Sequence, residues 1–359
     1  MLKKLDRYIV RSYLQTFLYA ILLFTSVAVV IDLSEKIDDI IEKGVPFSKI
    51  VVDYYLNFIP YIDALLAPLF VFIAVIFFTS RLATRTEFIA MLASGISFRR
   101  ILYPYMIAAS ICAAGLFAAN NFIVPQANKG RLAFEYAYLN NKLRFFAKNL
   151  HMQVRRDQYI YMENYSNNDS TGYKFSYEVL KDGKLIYKLR ADRIQWKGKT
   201  QKWSLKNYVE RRFSREGEQL RTGSYLDTSF LFKPSDFEKR VSLKEEMNSI
   251  ELKRHIDKLL ARGEDQAVFF QIELNRRLSD PAAIIILTLI GVSIASRKVR
   301  GGLGIHLVAG FLLSGVYIIF MQFSTTFSTN ANLPPFLGVW IPNIIFGGLA
   351  FYLIGKAQQ

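Results

Sequence analysis

Six apolar stretches, three on each side of a long polar insert, restrict this chain to very few folds. They run roughly Tyr13–Leu33, Tyr54–Phe78, Ile101–Val124, Pro281–Ala295, Gly304–Phe327 and Phe336–Ile354. Most reach the ~20 residues that a helix needs to cross a ~30 Å hydrocarbon core. The fourth is short as a purely apolar run, and gains length if its polar lead-in from about Phe269 belongs to the same helix. The pattern predicts a polytopic α-helical membrane protein with six transmembrane helices and one folded domain inserted between helices 3 and 4.

The cations set the orientation. Lys3, Lys4, Arg7 and Arg11 precede the first span, and Arg81, Arg85, Arg99 and Arg100 lie between the second and third. Arg297, Lys298 and Arg300 link the fourth and fifth, and Lys356 follows the sixth. All of these fall on one side. The loop expected after the first span is acidic instead, with Asp32, Glu35, Asp38, Asp39 and Glu42. By the positive-inside rule both termini are cytoplasmic and the insert is on the far side; long translocated domains are largely exempt from that rule. The first apolar stretch is longer than a signal-peptide core, and no small-x-small site precedes the acidic loop, so it reads as a retained anchor.

At 359 residues and 52% hydrophobic, the chain holds a helical bundle plus one small domain. Most of its net charge of +16 belongs to the insert. No compact stripe of cations with stacking aromatics accompanies it, which argues against nucleic acid. Anionic headgroups or phosphorylated glycolipids suit such a surface better, with ordinary solubility as the plain alternative. The single cysteine, Cys112, lies inside the third span, so there is no disulfide framework.

The insert, about Pro125 to Arg262, reads mostly as β structure. Strands are expected at Tyr159–Tyr165, Tyr173–Leu180, Lys184–Trp196, Lys202–Phe213 and Gln219–Phe232. Turn signals at Asn167-Asn168-Asp169, Asp182-Gly183, Lys197-Gly198-Lys199 and Arg215-Glu216-Gly217 separate them. Leu185, Tyr187, Leu189 and Ala191 alternate with polar neighbours, so one face packs inward. An antiparallel sandwich or open roll is the natural closure. A helix over about Ser249–Arg262, capped by Ser249 and ended by Gly263, leads back to the membrane.

Catalytic motifs are missing. His151, His255 and His306 are far apart, and no G-x-x-x-x-G-K-[ST] phosphate loop occurs. Gly301-Gly302-Leu303-Gly304 lacks the Lys-Ser/Thr ending and reads as a turn between spans. The segment Arg81–Gly95 is more informative. Thr84 or Thr86 starts a short helix there that Gly95 ends, and Phe88, Met91 and Leu92 share one apolar face beside Glu87. Such a helix either rests on lipid headgroups or docks into a soluble partner.

Asp63 is the acid expected well inside an apolar stretch, and intramembrane carboxylates default to functional. Asp53, Pro60 and Pro68 suggest a broken outer half of this span, with Asp63 near the interface or lining a watery cavity. Phe320, Met321 and Phe323 on the fifth span are candidates for an acyl-chain site, with lipid-facing or core packing as the alternative. Ala109, Ala113, Ala114, Gly115 and Ala118 on the third span would allow close helix packing.

Several of these residues together resemble a known family. They are Leu5-Asp6-Arg7-Tyr8, Glu87-x-x-Ala-Met-x-Ala-Ser-Gly95, Val124-Pro125-Gln126, Pro281 and Leu333-Pro334-Pro335. Their order and spacing resemble the LptF/LptG permeases, the membrane subunits of the lipopolysaccharide-export ABC transporter, with the opening residues leaning toward the LptG side. The resemblance covers essentially the whole chain. It implies transmembrane helices 1–3 in residues 1–124, with a coupling helix at about 84–94. A periplasmic antiparallel β-jellyroll-like domain with a connecting helix follows in 125–265, and helices 4–6 in 266–359.

The resemblance further implies a non-enzymatic inner-membrane permease that binds no cofactor itself, ATP being used by a partner ATPase. It would pair with a second LptF/LptG-type permease, a cytoplasmic ABC ATPase dimer and periplasmic jellyroll bridge proteins. Lipopolysaccharide would enter sideways from the periplasmic leaflet. Arg85, Glu87, Phe88 and Met91 would contact the ATPase. Familiar members place cations near the outer end of the first span to meet lipid A phosphates; here only Lys36 and Lys43 relieve the acidic segment. A secondary transporter, which would need intramembrane charge pairs, and a membrane-anchored assembly or sensor protein are the competing readings.

Overall fold

The structure, a computed structural model, describes residues 3–139, 146–166, 169–181, 183–198, 200–214, 217–234, 237, 243–261, 266–297, 302–330 and 333–357. The expected turn residues Asn167, Asn168, Asp182, Lys199, Arg215 and Glu216 lie outside the described residues. So do Arg262, Gly263, Lys298, Arg300 and Gly301. Two compact units result: residues 1–139, 245–256 and 268–359 form one, and residues 140–244 with 257–267 form the other.

The first unit is helical. Its α1 (Lys4–Glu42) is one helix of 39 residues, about 58 Å long at the ordinary helical rise. The acidic segment expected as a loop is the end of this helix. Nothing between Asp32 and Glu42 breaks it; the reversal waits for Gly44, which takes a φ of 59°. After a short break, α2 (Phe47–Thr84) begins with a π-helical stretch at Ile50–Tyr55 and then continues through Pro60 and Pro68. The prolines therefore do not break its outer half, and the irregularity lies upstream of them.

A short helix, α3 (Glu87–Ala93), leads into α4 (Phe98–Tyr138). Ser97 Oγ caps α4 by accepting from the Arg100 amide at 3.3 Å. A second π-helical turn, Ala119–Ile123, precedes Pro125, and the helix runs on to Tyr138. Of the small residues on this span, Ala109 and Ala113 are buried, whereas Ala114, Gly115 and Ala118 are exposed. Only one stripe of them packs.

The remaining helices are α5 (Ser249–Ala261), α6 (Ala267–Ala295), α7 (Gly302–Asn330) and α8 (Pro335–Ala357). Asn248, not Ser249, caps α5: its Oδ1 accepts from the amides of Ile250 and Glu251 at 3.1 and 2.9 Å, and Glu251 returns a bond to the Asn248 amide. The fourth span does include its polar lead-in. One apolar core gathers Ile9, Tyr13, Val71, Val75, Phe88, Phe98 and Tyr105. A second gathers Phe72, Ile76, Leu287, Tyr317, Met321 and Phe346. Gly291 allows α6 to approach α2 closely, since a Cβ there would sit 2.9 Å from Val75 Cγ1. Six of the helices are long and apolar enough to cross a membrane.

The second unit is an antiparallel sheet whose strands pair in sequence order: β1 (Phe146–Arg155), β2 (Gln158–Ser166), β3 (Thr171–Lys181), β4 (Lys184–Lys197), β5 (Lys202–Ser214) and β6 (Gly217–Thr228). This is the expected inserted β domain. β1 was not expected, because Lys148, Asn149, His151 and Gln153 dilute its apolar residues. β6 ends at Thr228, short of the expected Phe232. Phe230 and Phe232 leave the ladder to pack over the inner face, where Trp203 Nε1 donates to the Phe232 carbonyl at 3.0 Å.

On that inner face the alternation slips at one level across four strands. The buried pairs Met162 and Tyr165, Gly172 and Phe175, Ala191 and Ile194, and Leu205 and Tyr208 are each three residues apart. Two consecutive residues therefore face outward in every one of these strands. Lys174 and Asn207 adopt left-handed backbone at this level, both with φ of 52°.

Candidate coupling site and membrane polar clusters

The loop between the second and third spans is tied to the start of α1. Thr86 takes a φ of 62°, and its carbonyl accepts from the Ala90 amide at 2.8 Å, so α3 turns away from the end of α2. Gly95, with φ of 84°, ends it. Phe88 is fully buried, packs at 6.1 Å on the Phe98 ring, and anchors α3 in the core that contains Ile9. Met91 is half-buried against the same core. Ile89, Ala90, Leu92 and Ala93 are exposed, as is Arg85. Of the Phe88, Met91 and Leu92 face expected from periodicity, only Leu92 is turned outward, together with Ile89. Phe88 is the largest apolar side chain of α3 and fills the protein's own interior.

Two polar contacts complete the clasp. Tyr8 Oη donates to Glu87 Oε2 at 3.2 Å. Arg100, at the start of α4, donates to both carboxylate oxygens of Asp6 at 2.8 and 2.7 Å. Asp6 is buried at 2% exposure and also accepts from the Lys3 amide, so one side chain caps α1 and holds α4. A bidentate guanidinium–carboxylate pair fixes orientation as well as distance.

At the other end of α1, Lys36 is buried in a polar cluster. Its ammonium donates to Asp32 Oδ1 at 2.6 Å and to the Tyr54 hydroxyl, and lies 3.6 Å from Glu135 Oε1. Arg131 joins Glu135 at 3.0 Å and Glu245 at 2.9 Å, with its guanidinium 4.0 Å from the Tyr61 ring centroid. Lys36 is therefore already neutralised inside the protein and offers no free charge to a phosphate. Lys43, in contrast, is exposed. The cluster went unread in the sequence, although opposite charges at i, i+4 (Asp32 and Lys36, Arg131 and Glu135) are a legible signal on a helix.

Asp63 accepts a hydrogen bond from Thr25 of α1 and is half-buried. It is absent from the lining of the intramembrane cavity of about 240 Å³, which α2, α6 and α7 enclose with Leu65, Leu69, Arg276, Asp280, Tyr317 and Met321. Met321 thus lines a cavity, Phe320 packs partly buried on the neighbouring core, and Phe323 is 61% exposed. Arg276 and Asp280 attract each other one helical turn apart on α6. Neither stands out in the sequence, although the fourth span is expected to gain length from this polar lead-in, because charges at i and i+4 near a span end read equally well as headgroup contacts. Nearby, Asn343 Oδ1 accepts from the Tyr317 hydroxyl at 2.9 Å and its Nδ2 donates to Ser279 Oγ at 2.9 Å, joining α6, α7 and α8.

Six membrane-length helices, a β domain between the third and fourth, and a clasped loop helix define a polytopic membrane protein with an inserted β domain. The family model for the lipopolysaccharide export system permease LptF/LptG matches residues 7–356, and the chain belongs to that family. It is accordingly a multi-pass inner-membrane component of lipopolysaccharide export. A search of individually curated proteins returned no match.

Proposed function

We propose that this chain is the permease subunit of an ATP-driven exporter, working with a second LptF/LptG-type permease and a cytoplasmic ABC ATPase dimer. Both termini and α3 are cytoplasmic, and the β domain is periplasmic. Lipopolysaccharide leaves the periplasmic leaflet and passes to a periplasmic bridge of similar β-jellyroll domains. ATP is bound and hydrolysed by the partner alone. The observation that carries this reading is α3 itself. Its inner face is locked to α1 and α4 while Ile89 and Leu92 stand exposed at 42% and 38%. A rigidly mounted helix with an apolar outer face suits seating in a groove of a soluble partner. Arg85 and the free edge of Glu87 would border that contact.

The test is a mild-detergent pull-down from native membranes with wild type, Leu92→Arg and Glu87→Arg. A soluble ABC ATPase and a second permease should accompany the wild type. Both variants should lose the ATPase and keep the permease. Retention of the ATPase by both would overturn the docking role of α3.

Arg276 and Asp280 favour a second reading, because gradient-driven transporters use intramembrane charge pairs of this kind. On that reading lipid release from vesicles would continue without ATP and stop in Asp280→Asn.

A further inference from the structure

The outer face of the β sheet carries a concave groove of about 820 Å³. Its floor follows the strand register. Tyr161 of β2, Ser176 of β3 and Arg190 of β4 lie side by side in one row. The next row, at the level where the alternation slips, holds Lys174, Asp192 and Asn207, and all three line the groove. Lys174 and Asn207 stand on either side of Asp192 in neighbouring strands, and Asn207 Nδ2 donates to Asp192 Oδ2 at 3.0 Å. Left-handed backbone at a lysine costs free energy that a regular strand would avoid. Paired irregularities of this kind bend strands and re-aim side chains.

The lining narrows the ligand class. Acyl chains are a poor match, since the groove is floored by charged and amide side chains. Lys174, Lys188, Arg190 and Arg211 line the groove together with Glu163, Glu178 and Asp192, and Lys188 pairs with Glu178 at 2.7 Å. This mixed lining suits a ligand with isolated phosphates better than a continuous polyanion. An extended peptide pairs along a sheet edge, whereas this groove crosses the face of the sheet from His151 on β1 to Leu220 on β6, over β2 to β5, which are paired on both sides. What remains is a ring platform beside fixed hydrogen-bonding groups of both signs. Tyr159 and Tyr161 line the groove, and His151 packs 4.6 Å from the Tyr161 ring. Arg190 is exposed and, among the described residues, has no acid paired with it. Arg190 and Tyr161 are two strands apart, about 10 Å at ordinary strand spacing.

We infer that this groove binds an anionic oligosaccharide, with Arg190 taking a phosphate, the tyrosine rings stacking on sugar faces, and Asp192 and Asn207 receiving hydroxyls. The inference rests on the lipopolysaccharide-export reading for the source of the ligand: the groove would hold the phosphorylated sugar portion of the exported lipid. The sheet's opposite face is filled by its own core.

The experiment uses the full-length chain in amphipol, free of glycosidic detergent. Deacylated, phosphorylated oligosaccharide prepared from lipopolysaccharide is titrated and followed by saturation-transfer NMR. Wild type should bind it. Arg190→Gln should weaken binding at least tenfold, and dephosphorylated sugar should bind with no sensitivity to that change. Tyr161→Ala should weaken both sugars. Arg190 is exposed, so Arg190→Gln should fold like wild type, with the melting profile as control. No binding by wild type, or binding untouched by both variants, would overturn the groove. Intact lipopolysaccharide, measured in parallel, separates the two failures. If it binds while the sugar does not, the groove assignment fails and the export reading stands; if neither binds, both fail.

Discussion

Tyr8 and Glu87, 79 residues apart in sequence, are joined by a 3.2 Å hydrogen bond between the second turn of α1 and the first turn of α3. The contact matters because Glu87 has two possible uses. It is a candidate for touching the ATPase, and it is also the point where α3 grips the first span. Tyr8→Phe separates them, since it removes the hydroxyl and leaves the carboxylate. The ATPase should remain bound, while lipid released per ATP hydrolysed in reconstituted vesicles falls several-fold. An unchanged ratio would show that the Tyr8 bond carries no load.

Phe88 and Leu92 should respond in opposite ways. Phe88→Ala opens a hole in the core at a site with no exposure, and should cost about 3–5 kcal/mol. Thermal unfolding would then begin earlier, with ATPase binding lost as a consequence. Leu92→Arg is on the exposed face and should leave the melting profile alone while abolishing ATPase binding. The contrast is measured by running melting and co-purification on the same two samples.

Lys36 and Lys43 form a similar pair at the other end of α1. Removing the Lys36 charge leaves Asp32 without its cation in a buried setting, Glu135 keeping Arg131, and loss of one partner from such a pair costs about 3–5 kcal/mol. Lys36→Gln should therefore lower stability whatever lipid is present. Lys43→Gln should leave stability unchanged and weaken lipopolysaccharide binding if its exposed ammonium meets the substrate. Wild-type stability in Lys36→Gln would mean that the cluster rearranges freely.

Acid should loosen β6 first. Glu218 is held below the usual carboxylate range by hydrogen bonding from Arg211, and Asp227 by hydrogen bonding from the Ser204 hydroxyl and then Lys197. Depressed values mean that the contribution is present above the unfolded carboxylate range and is lost as pH falls through the folded values. Amide protection in β6, taken relative to the unstructured rate at the same pH, should therefore fall below about pH 4, ahead of β3 and β4. Uniform exchange across the sheet would contradict this.

Much of the architecture was legible because hydropathy reports lipid contact directly. The six spans, five of the six strands and the return helix all followed from local pattern. What escaped notice lies where tertiary packing overrides composition. The acidic end of α1 is helical and partly buried because Tyr54, Tyr55 and Lys36 answer the charge of Asp32. Arg276 and Asp280 belong to a span because they face a cavity rather than lipid. Phe88 was assigned to the outer face by its spacing, yet a seven-residue helix has no face defined until its neighbours are in place. The outward Ile89 and Leu92 could not be told from inward ones by periodicity alone.

The most direct test of the link between loop helix and first span is the Asp6–Arg100 pair. Asp6→Asn weakens a buried bidentate contact without touching α3. The double variant Asp6→Arg, Arg100→Asp keeps opposite charges at the same two sites. Lipid release and ATP hydrolysis are measured together in vesicles containing the assembled complex. Asp6→Asn should hydrolyse ATP but release little lipid, with partial recovery in the double variant. Full release per ATP by Asp6→Asn would contradict transmission through this clasp.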